Sequence, residues 1–169
     1  LTTYTYDDVG NRTRAVESSG DVTSWTYDGT YQLTHEVRSG SHSFDVTYTY
    51  DEAGNRLTQV DSGAVTTYSY DEAHQLLTSQ DAAGLTSYTY DADGNRTCQD
   101  GPSETIYYTW DEDSRLTVAE PPAGRTTLTY RGDGRRVRKE TPTATTKFIY
   151  DVNRLLEETD GDDELERQY

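Results

Sequence analysis

Three histidines, one cysteine and 31 acidic residues are the groups in this 169-residue sequence with the chemistry to catalyse or to hold a metal. His35, His42 and His74 lie in different stretches, with no recurring Ser, Cys or acid at a spacing that assembles a triad or a metal site. The carboxylates come in runs where a chain turns, at Asp7-Asp8, Asp51-Glu52, Asp71-Glu72 and Asp111-Glu112-Asp113. An enzyme needs one general acid–base pair, whereas a carboxylate that returns turn after turn suits capping. Asp91-Ala92-Asp93-Gly94-Asn95 and Asp160-Gly161-Asp162-Asp163-Glu164 resemble fragments of calcium loops, yet neither has the spaced ligands and closing Glu of an EF-hand. The expectation is no catalytic residue, no metal, no cofactor and no enzyme.

The elements that carry these carboxylates repeat. A pair recurs every 20 to 23 residues: Tyr6-Asp7, Tyr27-Asp28, Tyr50-Asp51, Tyr70-Asp71, Tyr90-Asp91, Trp110-Asp111, Tyr130-Arg131 and Tyr150-Asp151. Two positions earlier stands another bulky residue, at Tyr4, Trp25, Tyr48, Tyr68, Tyr88, Tyr108, Leu128 and Phe148. Large side chains at i and i+2 separated by Thr or Ser have the period of a half-buried strand. In the third repeat, Val46 to Tyr50 and Arg56 to Val60 read as two strands around Asp-x-x-Gly-Asn, where Asp accepts backbone N–H groups and Gly-Asn takes positive φ. Asp7, Asp28, Asp51, Asp71, Asp91, Asp111 and Asp151, with Gly10, Gly54, Gly94 and Gly134, are the expected turn residues. Tyr31-Gln32 and His74-Gln75 replace Gly-Asn, and the turns after Trp110 and Tyr150 read as shorter. Gly20, Gly40, Gly63, Gly84, Gly101 and Gly124 mark the opposite turns.

Two turns per repeat mean two strands per repeat. The expected fold is all-β, an array of antiparallel hairpins running through residues 1–169 as one continuous array of about eight repeats, a segment of a longer chain without a separate catalytic domain. Sixteen strands at ~4.8 Å make a ribbon roughly 75 Å wide, which should curl into a tube or shell. The repeat aromatics (Tyr6, Tyr27, Tyr50, Tyr70, Tyr90, Trp110, Tyr130, Tyr150) should line one face, their rings over apolar residues of the intervening strand such as Leu57 or Leu77, their hydroxyls wet.

The repeat absorbs several other motifs. Arg131-Gly132-Asp133 spells an integrin-recognition tripeptide in the register of the other turns. Asn11-Arg12-Thr13 and Asn95-Arg96-Thr97 have the form of glycosylation sequons but fall out of the same consensus. Trp25 and Trp110 replace repeat aromatics, so they read as ladder members before sugar platforms. The cluster Arg135-Arg136-Val137-Arg138-Lys139 alternates faces at strand period and reads as a solvated strand offset by nearby acids.

Composition narrows the partners. A formal net charge of −16 opposes binding to a nucleic-acid backbone or an anionic membrane surface. No apolar run approaches the ~20 residues of a membrane span, and no signal peptide is visible. A mean hydropathy of −0.96 would suit disorder, but 15 Tyr, 2 Trp and 2 Phe, nearly all in register, suit thin extended sheets. Cys98 is alone, so no disulfide framework exists within the segment.

Tyr-Asp-x-x-Gly-Asn-Arg-Leu-Thr at Tyr50 to Thr58, with relatives at Tyr6 to Thr13 and Tyr90 to Thr97, resembles the YD repeat of RHS proteins, insecticidal toxin-complex C components and teneurins. Tyr130 to Tyr169 resembles the stretch of RHS proteins just upstream of their core domain, and the likeness covers essentially the whole chain. The resemblance implies a hairpin ribbon spiralling into a hollow shell, which in bacterial relatives encloses a toxin and in teneurins carries adhesion. It implies a secreted or cell-surface, bacterial setting. The family's core domain, self-cleavage site and variable toxin are not seen before Arg167-Gln168-Tyr169, so those activities are not carried over. The leading expectation is a non-enzymatic structural segment of such a shell, its partners being neighbouring repeats of the same or another copy and an enclosed toxin. The alternative is an adhesive or filament-forming surface protein that binds carbohydrate or self-associates through open sheet edges.

Overall fold

Aromatic and β-branched side chains at alternate positions suit a pleated surface, and Gly- and Asp-bearing segments between them return the chain. The computed structural model describes residues 1–151, 154–161 and 165–168; within them the chain is all-β. The first unit, Leu1–Leu85, holds β1 (Thr2–Tyr6), β2 (Arg12–Glu17), β3 (Val22–Tyr27), β4 (Leu33–Ser39), β5 (Phe44–Tyr50), β6 (Arg56–Asp61), β7 (Ala64–Tyr70) and β8 (Leu76–Asp81). The second, Thr86–Tyr169, holds nearly all of β9 (Gly84–Tyr90), then β10 (Arg96–Asp100), β11 (Thr105–Trp110), β12 (Leu116–Glu120), β13 (Thr126–Tyr130), β14 (Arg136–Glu140), β15 (Thr145–Asp151), β16 (Arg154–Asp160) and β17 (Leu165–Gln168). Within each unit, consecutive strands pair antiparallel. β17 is one strand more than two per repeat gives.

Each YD hairpin carries the same bulge. Tyr50 pairs with Arg56 while Thr49 pairs with Thr58, so Leu57 is an extra residue with no partner opposite. The shift recurs immediately before Tyr6, Tyr27, Tyr70, Tyr90, Trp110, Tyr130 and Tyr150. A bulge bends its strand and increases the local twist, so every repeat receives the same local deformation. It also corrects the expected ring partners. Leu57 and Leu77 are each 39% exposed, because the bulge brings the residue before them, Arg56 or Leu76, into register with the tyrosine.

The two faces differ. In β5, Phe44, Val46, Tyr48 and Tyr50 are half-buried or buried, and Asp45, Thr47 and Thr49 between them are exposed. On the exposed face hydroxyls meet in cross-strand pairs: Thr5–Thr13, Thr49–Thr58, Ser69–Thr78 and Thr89–Thr97, at 2.5–3.2 Å. Among the described residues only Ala15, Val46 and Val118 are buried hydrophobics, and no large side chain is fully enclosed. Stability must then come from contacts between adjacent hairpins rather than from a central core.

The YD turn has a fixed backbone form. Asp51 N–H donates to the Asn55 carbonyl (2.9 Å) and Gly54 N–H to the Asp51 carbonyl (3.1 Å). Asp111 and Ser114 make the same two bonds at 3.0 Å, so the sixth turn is full length, Ser114-Arg115 standing where Gly54-Asn55 stand, and the reading of it as shorter is corrected. In the eighth hairpin Asp151 lies in β15 and pairs with Arg154; Val152 and Asn153 lie outside the described residues. The fourth turn position is left-handed whatever occupies it, with φ of +94° at Gly10 and +90° at Gly54 but also 66° at Tyr31, 62° at His74 and 57° at Ser114. A side chain there costs ~1–2 kcal/mol, against ~0.5–1 kcal/mol for the chain entropy of glycine. A Cβ on Gly10 meets nothing within 4 Å, so Gly10→Ala isolates the backbone cost. Urea denaturation should show Gly10→Ala destabilised by ~1 kcal/mol, with the exposed Tyr31→Gly neutral or slightly stabilised.

Candidate functional site

The residue at each YD turn with chemistry to offer is the aspartate, and its oxygens are committed to the turn. Asp51 Oδ1 accepts the N–H groups of Ala53 (3.0 Å) and Asn55 (2.8 Å), and Oδ2 accepts the Asn55 amide at 2.8 Å. Asp7 and Asp91 repeat this set, and Asp28, Asp71 and Asp111 keep the two backbone bonds. The Asn55 amide and the backbone N–H groups hold the Asp51 carboxyl below the ordinary carboxylate range. The Gln32 N–H does the same for Asp28, and the Arg115 N–H for Asp111.

At Tyr130-Arg131 the carboxylate has moved two residues on. Asp133 takes bonds from the Arg131 guanidinium, from Arg135 N–H (3.2 Å) and from Arg135 Nη1 (3.0 Å), and Arg131 chiefly lowers its carboxyl to about 2. The backbone of the turn persists, through Arg131 N–H to the Arg135 carbonyl and Gly134 N–H to the Arg131 carbonyl, both 2.8 Å. Arg131 and Asp133 thus bond each other, which opposes an adhesive reading of the tripeptide. The sequon amides are likewise engaged: Asn11 Nδ2 donates to Asp7 at 2.9 Å, and Asn95 Nδ2 to Asp91 at 3.1 Å and Ser114 at 3.2 Å.

The tyrosines couple successive hairpins. The Tyr50 hydroxyl donates to the Leu33 carbonyl at 2.8 Å, and Leu33 is the first strand residue after the preceding turn. Tyr27 reaches Arg12 (2.9 Å), Tyr70 reaches Arg56 (3.0 Å), Tyr130 reaches Leu116 (2.9 Å) and Tyr150 reaches Arg136 (3.0 Å). Trp110 does the same with its indole N–H on the Arg96 carbonyl at 2.8 Å. These hydroxyls are bonded rather than wet, and burial raises the pKa of Tyr50 and Tyr70. The spacing of 14 to 17 residues spans one hairpin back, a signal visible in the sequence only once the register is known.

The second aromatic row holds cations. The Arg56 guanidinium lies 5.8 Å from the Tyr48 ring and 4.5 Å from Tyr68, so it is sandwiched between rings of successive repeats. Arg12 lies likewise between Tyr4 (4.4 Å) and Trp25 (5.5 Å), Arg96 between Tyr88 (5.7 Å) and Tyr108 (4.8 Å), and Arg136 meets Phe148 at 4.5 Å. Among the described residues no carboxylate lies within ion-pair distance of these four. Each such contact contributes ~0.5–2 kcal/mol depending on desolvation.

The other candidates are dispersed. His35 meets Asp45 at 2.8 Å, His42 meets Ser41 at 3.2 Å, and His74 meets Asn55 of the neighbouring turn at 2.9 Å. Among the described residues no group of three His, Cys, Asp or Glu side chains could hold a metal. Asp91 and Asp93 belong to the fifth turn, and Asp162 to Glu164 lie outside the described residues. In the basic cluster, Arg138 pairs with Glu140 at 2.9 Å and Arg135 with Asp133. The densest polar network outside the YD turns joins Arg38 to Glu17 (2.6 Å) and Asp21 (3.1 Å), with Asp21 also accepting the Ser41 N–H and hydroxyl. It ties two of the opposite turns together.

Comparison with known proteins places this geometry. Residues 50–86 match the family described as RHS Repeat. The crystal structure of TcdB2-TccC3-Cdc42 superposes with a TM-score of 0.52 at 17% identity, over 96% of this chain and 12% of that one. That of TcdB2-TccC3-TEV gives 0.51 at 13% identity, over 95% and 11%. That of TcdB2-TccC3 without the hypervariable C-terminal region gives 0.56 at 13% identity, also over 95% and 11%. At these identities the likeness is one of fold, and the chain spans about an eighth of each. No curated protein sequence matches it. Residues 50–86 thus match an RHS repeat, and the chain as a whole shares with these structures the fold, an all-β array of antiparallel hairpins.

Two measurements test the couplings. Tyr70→Phe should destabilise by about 1 kcal/mol in urea, the net worth of one hydrogen bond, since the Arg56 carbonyl loses its donor. The turn carboxyls titrate lower in the fold than when unfolded, so the unfolded chain takes up protons first as acid is added. Stability should hold at neutral pH and fall from about pH 4 toward pH 2, followed by circular dichroism. The raised tyrosines act in the opposite sense, so stability should also fall as pH rises through and above 10.

Proposed function

We propose that this array of RHS repeats is a non-enzymatic wall segment of a larger hollow shell that encloses a polypeptide, such as a toxin, in a secreted or cell-surface bacterial protein. The observation that carries the reading is that the groups repeated along the chain face their own turn or an adjacent hairpin. Carboxylates cap turns, tyrosines bind carbonyls of the previous repeat and arginines fill gaps between rings. Such a chain grows by adding hairpins and gains its work from extent rather than from one site. The span of about an eighth of the chains it resembles supports a part within a longer wall.

The carbohydrate-binding alternative needs exposed indoles, and both are half-buried. Trp25 donates to Glu36 at 2.8 Å with Arg12 over its ring, and Trp110 donates to the Arg96 carbonyl, which supports ladder members over sugar platforms.

Electron microscopy of the intact natural polypeptide containing this segment tests the proposal. Hollow particles with density inside, in which an internal polypeptide resists protease until the wall is opened, are the expected result. Solid particles, open filaments or an internal polypeptide cut as fast as a free one would contradict enclosure.

A further inference from the structure

The hairpins are of two kinds, and they alternate. The residue that leaves each YD turn and pairs with the repeat aromatic is in order Arg12, Leu33, Arg56, Leu76, Arg96, Leu116, Arg136 and Leu155. The left-handed turn position alternates in step through Gly10, Tyr31, Gly54, His74, Gly94, Ser114 and Gly134, with glycine in the arginine hairpins and a side chain in the leucine ones. Two sets of contacts fall inside a pair made of one arginine hairpin and the leucine hairpin after it. The guanidinium joins rings of both: Arg12 lies between Tyr4 and Trp25, Arg56 between Tyr48 and Tyr68, and Arg96 between Tyr88 and Tyr108. The turns are joined as well. Asn55 Nδ2, held in orientation by its bond to Asp51, donates to His74 Nδ1 at 2.9 Å, and Asn95 Nδ2 donates to Ser114 Oγ at 3.2 Å.

From one pair to the next the turn contacts take another form. The Gln32 side chain leaves the second turn and lies over Gly54, where a Cβ would come within 3.0 Å of its Nε2, and Arg115 Nη1 lies 3.7 Å from the corresponding point on Gly134. Glycine stands where a long side chain from the turn before covers the position, and a hydrogen-bonding side chain stands where an asparagine reaches it. The tyrosine hydroxyls do not discriminate, since Tyr50 reaches Leu33 across pairs as Tyr70 reaches Arg56 inside one. We infer that the repeating unit of this array is a pair of hairpins, the arginine kind first, and that the array changes length without loss only two hairpins at a time. Removing residues 71–90 joins Tyr70 to Asp91 and brings two of a kind together. Arg96 then follows Arg56, the Tyr68 ring meets a guanidinium on each side, and Asn55 faces Gly94, which has no side chain to accept its amide. Removing residues 71–110 joins Tyr70 to Asp111 and restores the order, with Leu116 following Arg56 and Ser114 standing where Asn55 reaches. Pairing is independent of enclosure, so it stands or falls apart from the microscopy above.

Thermal unfolding of the two deletion chains, followed by circular dichroism, tests the rule. If stability summed over equivalent hairpins, the chain without residues 71–110 would melt below the chain without residues 71–90, having lost twice as many. Pairing reverses the order, and the longer deletion should show a Tm higher by about 3 °C or more. Equal Tm values, or Tm falling with length, would overturn the inference. Where both deletions abolish folding, two point variants of the full chain decide it. Glycine relieves the left-handed backbone at Tyr31 and at Ser114 alike, but at Ser114 it also removes the acceptor of the Asn95 amide. Ser114→Gly should therefore melt about 3 °C below Tyr31→Gly. Equal melting of the two would show that the turns are not joined in pairs.

Discussion

A two-stranded hairpin cannot bury its own rings, and this dependence of each hairpin on the one before it governs the rest of the structure. The chain meets it with contacts that cross between repeats: a tyrosine hydroxyl on the carbonyl that leaves the previous turn, and an arginine between two rings. Both sit where the repeated bulge has shifted the register by one residue. Without the bulge, Leu57 rather than Arg56 would pair with Tyr50, and the cation would leave the ring row. Packing is thus nearest-neighbour in character, which is how an array with three buried hydrophobics among its described residues holds together.

The charge of the chain follows from the same economy. A turn made in every repeat needs an acceptor for its inward-pointing N–H groups, and a carboxylate provides one at Asp7, Asp28, Asp51, Asp71, Asp91 and Asp111. Much of the net charge of −16 is then turn chemistry repeated. Asp133 separates the role from the position: the carboxylate enters from two residues later, with Arg131 as its partner, and the turn keeps its backbone bonds. Tyr31, His74 and Ser114 make the complementary point for glycine, because the left-handed turn position is kept by the surrounding bonds even where a side chain resists it.

The hairpins and their order were legible in the sequence because alternation of large and small residues has period two, and Gly-Asn after Tyr-Asp marks a turn. Register was not. A bulge displaces pairing by one residue without leaving a mark in composition, so Leu57 and Leu77, apolar and next in line, looked like ring partners where Arg56 and Leu76 hold the paired positions. The wet-hydroxyl expectation failed for the same reason: the carbonyl that Tyr70 reaches is 14 residues back, and only the paired register brings it close. The alternation of Arg and Leu at the turn exits was present in the letters, but its meaning depended on knowing that this residue faces the rings. The sixth turn read as short because Ser114-Arg115 does not look like Gly-Asn, though its hydrogen bonds are the same.

If hairpins are held by their neighbours, a lesion in one should be felt next door and then fade. Hydrogen exchange on an Arg56→Leu chain measures this most directly, since Arg56 bridges the rings of two hairpins and makes no ion pair among the described residues. Protection should drop in β5 to β8, whose rings Arg56 joins, and remain unchanged in β13 and β14. Loss confined to β5 and β6, or spread evenly over the chain, would contradict coupling between neighbours as the source of stability.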